Sequence, residues 1–274
     1  MGDIFGDRMK EYEAVADAKL TRKLPIIVRL DGNSFSKFTK VQKFQKPYDP
    51  VFCEAMLDAT QALLSYCSGA QIGYTQSDEI TLLLRNDQTP DTQPFLANRV
   101  EKICSLLAST AAVEFSVNLT MKLGKPIKAA FDARVYVIPH SEVNNSFLWR
   151  QMDAWHNCVS AVSHYGLKEK YGSKTAQKML HGKSLSDRHE IIFRELGFNM
   201  NDYPVKYKRG VCIRRKPVRT PIEQLMSLDK VKKLGKLGEV VERSIWEPDY
   251  NIPRFDQDPS YIEGLLENKK ELAG

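Results

Sequence analysis

Residues 26–38, IIVRLDGNSFSKF, and residues 70–85, AQIGYTQSDEITLLLR, decide the fold. The first is a β-branched, apolar run that stops at Asp31-Gly32, the pattern of a buried strand ending in a turn. The second is two apolar stretches broken by Gln76-Ser77-Asp78, which predicts a hairpin. Between them, Pro47 and Asp49-Pro50 open a helix reaching about Tyr66, with Phe52, Ala55, Met56, Ala59 and Leu63 on one face. Residues 86–94, NDQTPDTQP, are loop-like, residues 95–113 carry a second amphipathic helix, and KAAFDARVYVIP, 128–139, reads as a fourth strand ended by Pro139. The order β-α-β-β-α-β predicts an α+β, ferredoxin-like core over residues 1–140. In that arrangement strands 1 and 3 are central neighbours. From 141 to 274 we expect a helical, basic extension. Residues 146–193 read as helix with breaks at Gly166, Gly172 and Gly182, RGVCIRR at 209–215 as a short strand, and a short helix starts at Ser260.

The 274 residues are 42% hydrophobic and 27% charged, the composition of a globular protein. No apolar run approaches the ~18 residues that a membrane span needs, so no membrane association is expected. Acidic residues in MGDIFGDRMKEYE argue against a secretion signal, and Gly6 spoils a myristoylation pattern at Met1-Gly2. Cys53, Cys67, Cys104, Cys158 and Cys212 form no C-x-x-C pair, which argues against zinc and for a reducing, cytoplasmic compartment. Net charge is +6, but its distribution says more. Residues 201–220 hold seven Lys or Arg against one acid, while 245–274 hold seven acids against three bases. A local basic cluster is the footprint of a phosphate-backbone partner; a solvated basic loop reads equally well from charge alone.

Asp31 closes strand 1, and Asp78 with Glu79 begins strand 3, so the predicted topology converges all three at one sheet edge. Carboxylates brought together repel unless a cation neutralises them, and all-oxygen ligands select Mg²⁺ or Mn²⁺. Two such ions, ~3.5–4 Å apart, can activate an attacking oxygen and stabilise a leaving pyrophosphate. That is how a polymerase palm transfers phosphoryl groups. Taken singly, Asp31-Gly32 and Ser77-Asp78 are ordinary turns. The run Asn33-Ser34-Phe35-Ser36 could offer backbone N–H groups to a triphosphate, and Arg99 and Lys102 share a helix face that could clamp phosphate oxygens. Gly182-Lys183-Ser184 is no P-loop, because Gln177 stands where the upstream glycine belongs.

RLDGNSFSKF at 29–38, FQKPYD at 44–49, YTQSDEITLLL at 74–84, FDAR at 131–134, WRQMDAWHN at 149–157, HGKSLSDRHEIIF at 181–193 and KRG at 208–210 closely resemble the tRNA(His) guanylyltransferase family. The resemblance implies a polymerase-like palm with a helical extension, assembled as a tetramer. The reaction it implies adds nucleotides to a tRNA 5′ end in the 3′→5′ direction, from GTP and with ATP or GTP activating a 5′-monophosphate. It further implies that Asp31, Asp78 and the Gly32 carbonyl hold two Mg²⁺, with Glu79 as supporting carboxylate. Asn33, Ser34, Phe35, Ser36, Lys46, Asp49, Ser77, Arg99 and Lys102 fall where such enzymes contact nucleotide. Arg150, Asn157, Lys208 and Arg209 are the candidates for tRNA contact. Eukaryotic members carry His-Ile-Asn-Asn where this chain reads Ala154-Trp155-His156-Asn157-Cys158. It therefore looks more like the guanylyltransferase-like branch of bacteria and archaea, which repairs 5′-truncated tRNA against the opposite strand. Strict addition of one guanosine to tRNA(His) is the alternative, and a palm-type nucleotide cyclase a more distant one. An RNA-recognition module shares the element order but stacks bases on paired sheet aromatics and needs no carboxylates, and Phe131 and Tyr136 on strand 4 give it little support.

Overall fold

The computed structural model describes residues 4–227, 230 and 233–267. The Met1-Gly2 start and the Lys269-Lys270-Glu271 end of the acidic stretch lie outside them. Strands β1 (Ile26–Gly32), β2 (Ala70–Gln76), β3 (Glu79–Leu84) and β4 (Phe131–Val137) take the order β4-β1-β3-β2, all antiparallel. The expected neighbours β1 and β3 do pair, with Asp31 opposite Glu79. All six residues of β3 are buried, as its unbroken apolar run requires of a strand covered on both faces.

One face of the sheet packs against α3 (Pro50–Tyr66) and α4 (Val100–Leu123), which follow α1 (Ile4–Ala14) and α2 (Phe35–Val41) in the chain. Ile26, Val28 and Leu30 of β1 meet Ile80, Leu82 and Leu84 of β3 on this face, beneath Met56, Leu63, Leu107 and Phe115. Helix α4 starts later and ends later than the sequence pattern predicts. Leu96, Ala97 and Asn98 have positive φ, so 95–98 form a separate turn, and apolar residues at 103, 107, 111, 115 and 119 carry the helix to a left-handed Gly124. By length and composition alone α4 could cross a membrane, contrary to the reading that no run is long enough. In this fold those five residues are buried in the core.

The other face is crossed by α5 (Val143–Tyr171), one helix of 29 residues. The break expected at Gly166 does not occur. Leu196 packs where a β-carbon at 166 would lie, 2.4 Å from its Cδ1, so glycine serves close packing there. Gly172 and Gly182, at φ 80° and 67°, do separate α5 from α6 (Ser173–Leu180) and α6 from α7 (Leu185–Ile191), with α8 (Val205–Arg209) beyond.

The extension is not only helical. β5 (Val211–Pro221) pairs with β2, and β6 (Val240–Asp249) pairs with β5, giving a six-stranded sheet of order β4-β1-β3-β2-β5-β6. β6 escapes a sequence reading because Pro248 argues against a strand; as the outermost strand it tolerates one. Ile252, Phe255 and Ile262, the last in α9 (Ser260–Glu263), return to the core beside α5.

Candidate active site

The ends of β1 and β3 meet as expected. The Gly32 N–H donates to the Asp78 carbonyl at 3.0 Å, tying the turn after β1 to the β2–β3 hairpin. Glycine is needed at 32 because a β-carbon there would lie 2.5 Å from the Phe35 ring. That ring anchors an aromatic cluster with Phe38, Phe52, Phe115 and Phe131. Phe131 is therefore core, not a stacking surface for RNA bases. Ser34 and Ser77 both have left-handed backbones, at φ 58° and 50°, which turns the chain sharply on either side of the carboxylates. Of the expected N–H donors, that of Asn33 is already given to the Ala130 carbonyl at 2.9 Å. Those of Phe35 and Ser36 open α2 and have no partner within the helix.

Asp31 is exposed at the strand end. Lost hydration there, then the repulsion of Asp78 and of Asp132, raises its carboxyl above the ordinary value, with Arg29 and Arg134 pulling the other way. Asp132 is a residue that sequence reading missed. It lies inside the quoted FDAR stretch, and only the β1–β4 register shows it directly opposite Asp31. The same register sets Arg29 opposite Arg134. Like charges facing across strands destabilise a sheet, so two such rows side by side are the mark of a site with ligands of both signs. Asp31, Asp78 and the Gly32 carbonyl are an all-oxygen donor set whose mutual repulsion fits a hard divalent cation. Among the described residues no group of three or more Asp, Glu, His or Cys forms a ready cage.

Replacing Asp132 with Asn should stabilise the metal-free protein at neutral pH. An acid whose pKa is raised on folding opposes folding once ionised, and removing its neighbour lessens that penalty. The gain should vanish as pH falls below the ordinary carboxylate range, where Asp31 is protonated in both states. Thermal melting at pH 7 and pH 3 checks both parts.

Beside the carboxylates, Phe35, Ser36, Lys46, Asp49, Ser77 and Asp78 line one cleft. Partial burial pulls the Lys46 ammonium below its ordinary value, while Asp78 and Asp49 pull it back; its Nζ reaches Thr39 Oγ1 at 2.9 Å. Asp49 is the cap of α3: Oδ1 accepts from Val51 and Phe52 N–H and Oδ2 from Gln45 N–H, at 2.9–3.2 Å. It shapes the cleft wall. Asn157, expected on the RNA side, instead lines the adjoining part of this cleft with Ser36, Lys46, Ser77 and Tyr165.

The expectations for Arg150 and Lys208 are corrected, for both are buried. Glu79, expected as the supporting carboxylate, is buried, and Arg150 Nε donates to its Oε1 at 2.7 Å. Arg150 is 7% exposed, with Nη2 also on Asp153 Oδ2 at 2.7 Å, so its charge is satisfied inside the protein and is not presented to RNA. Lys208 is likewise buried, its Nζ donating to the Asn201 carbonyl. Arg99 and Lys102 sit at the start of α4, where Asn98 bonds Leu20 and Asn86 beyond the far end of β3. Arg99 Nε is held by Asp17 Oδ1 at 2.6 Å. A length of β1, about 20 Å, separates them from Asp31. Arg209 is half-buried and donates to the Ile252 carbonyl at 3.2 Å, beside Arg254.

Residues 6–139 match the family model described as tRNAHis guanylyltransferase, and residues 141–246 match the one described as Thg1 C terminal domain. The tRNA(His) guanylyltransferase of Schizosaccharomyces pombe is 30% identical over 268 residues, covering 94% of this chain and 97% of that one. A bacterial tRNA(His) guanylyltransferase-like protein solved in complex with ATP superposes with a TM-score of 0.79 at 31% identity, over 96% of this chain and 99% of its own. In complex with GTP it superposes with a TM-score of 0.74 at 32% identity, over the same shares. The matches run along nearly the whole of this chain and of its relatives, and the chain belongs to the tRNA(His) guanylyltransferase family of nucleotidyltransferases.

Proposed function

We propose that this protein adds nucleotides, in the 3′→5′ direction, to the 5′ end of tRNA, and that its task is templated repair of 5′-truncated tRNA. The observation that carries the reading is the convergence of Asp31 and Asp78 beside a cleft holding Lys46. The β4-β1-β3-β2 order, with acids at the ends of its two central strands, supports the polymerase-palm, ferredoxin-like description of the core. Asp31, Asp78 and the Gly32 carbonyl would hold Mg²⁺, which supplies activation of the attacking hydroxyl and charge neutralisation at the leaving pyrophosphate. Lys46 binds and orients the phosphates of the incoming GTP or ATP. Phe35 and Ser36 line the same cleft, and their N–H groups, without partners inside the helix, would add neutral donors. Asn157 and Tyr165 close its far wall.

Repair is favoured over strict guanosine addition by Trp155 and His156, which stand where eukaryotic members carry the motif tied to the histidine anticodon. The five unpaired cysteines support a reducing, cytoplasmic setting. The exposed stripe Leu106, Val113, Val117 and Met121 on α4 supports burial in a tetramer. Sequencing the 5′ ends of several tRNAs lacking their first nucleotide, after reaction with all four nucleotides, tests the reading. Extension to the complement of the opposite strand, whatever the tRNA, is expected. Guanosine added only to tRNA(His) would favour the strict enzyme, and unextended tRNA with a cyclic product would end both readings.

A further inference from the structure

The carboxylate pair has two unlike sides. On one lies the cleft with Lys46; on the other the face of β1 and β4 is open, with Asp132 and Arg134 both exposed. Its floor carries the Arg29–Arg134 row, two residues or about 7 Å along the strands from the Asp31–Asp132 row. Neither arginine forms a salt bridge to a described residue. The wall of this floor is Trp149 of α5. Its side chain is 54% exposed, with the Arg150 and Arg29 guanidinium carbons 4.3 and 5.4 Å from its ring centroid. Arg150, itself locked to Glu79 and Asp153, holds the indole in place. An indole left half in water, fixed by a buried guanidinium, has the form of a stacking platform, and the adjacent arginine row carries charge opposite to a phosphate.

We propose that Trp149 stacks on the 5′-terminal base of the RNA being extended, with the phosphate of that nucleotide over the Arg29–Arg134 row. This rests on the transfer reaction proposed above and assigns its second substrate to the open side of the carboxylates. Stacking needs no base identity, which suits an enzyme working on ends of differing sequence. Trp149 is thus a positioning residue for the RNA end.

The chain has three tryptophans, so a Trp155→Phe, Trp246→Phe protein reports on Trp149 alone. Titration with tRNA lacking its first nucleotide should quench its emission, and the same RNA with an abasic 5′-terminal residue should bind without quenching. In transfer assays Trp149→Leu should raise KM for tRNA about tenfold to a hundredfold, Trp149→Phe should restore most of the loss, and KM for GTP should stay put. If leucine serves as well as phenylalanine, the indole only fills space and the proposal fails. Equal quenching by intact and abasic ends, or none by bound RNA, overturns it too. The fluorescence arm needs no turnover, so an inactive wild-type protein would count against the transfer reaction while leaving the platform separately measured.

Discussion

Asp78→Ala should abolish nucleotide transfer while the protein stays folded. Metal-assisted phosphoryl transfer draws several kcal/mol of transition-state stabilisation from its ion ligands, so the loss should be on the order of 10³-fold in rate or more. The side chain sits at a hairpin tip, half-buried, and accepts from the neighbouring Ser77 hydroxyl at 3.0 Å; the residue's tie to β1 is its backbone carbonyl on Gly32 N–H, which alanine retains. Asp31→Ala should behave alike, because its neighbours Asp78 and Asp132 repel it and its carboxylate makes no hydrogen bond or salt bridge to a described residue. Single-turnover assays with tRNA and GTP over a range of Mg²⁺, beside thermal melts, read both properties. Full activity in either variant would remove the metal assignment, and a melt lowered by many degrees would make the carboxylate structural.

Arg150→Met should be the most destabilising of the substitutions considered. Breaking a buried ion pair by removing one partner costs about 3–5 kcal/mol, because the remaining charge stays buried without compensation. Here that charge is Glu79, held inside between β1 and α5. Burial already pushes its carboxyl above the ordinary value, with Arg150 the main opposing pull. Without the arginine an ionised Glu79 opposes folding, so the loss should be greatest at neutral pH. It should shrink as pH falls and Glu79 takes up a proton in the folded state. Adding Glu79→Leu should recover much of the stability, since an apolar pair can replace a buried ionic one. Urea midpoints for the two single variants and the double, at pH 7 and pH 5, test this. Additive losses would mean that the two side chains do not depend on each other.

The sequence made legible what depends on strand ends. A β-branched run closing on Asp-Gly and a hairpin broken at Ser-Asp place Asp31 and Asp78 once the two strands are neighbours, and they are. What stayed hidden depends on register and direction. Asp132 looks like any strand aspartate until pairing sets it opposite Asp31. Arg99 and Lys102 share a helix face, and only the helix direction shows that within one chain they lie at the other end of the sheet from Asp31. Arg150 and Lys208 read as surface charges because composition does not reveal that Glu79 and the Asn201 carbonyl wait for them inside. Asn157 lies in a quoted motif, yet its place on the cleft wall needs the crossing of α5 over the sheet.

The pairing of β5 with β2 joins the two family-model segments along one hydrogen-bonded seam. β2 is almost wholly buried, and without β5 it would become a rim strand offering bare N–H and C=O groups to any passing chain. The second segment is thus a guard against self-adhesion as well as a carrier of basic side chains. A fragment ending near residue 139 would keep Asp31 and Asp78 and lose the cover that keeps its sheet to itself.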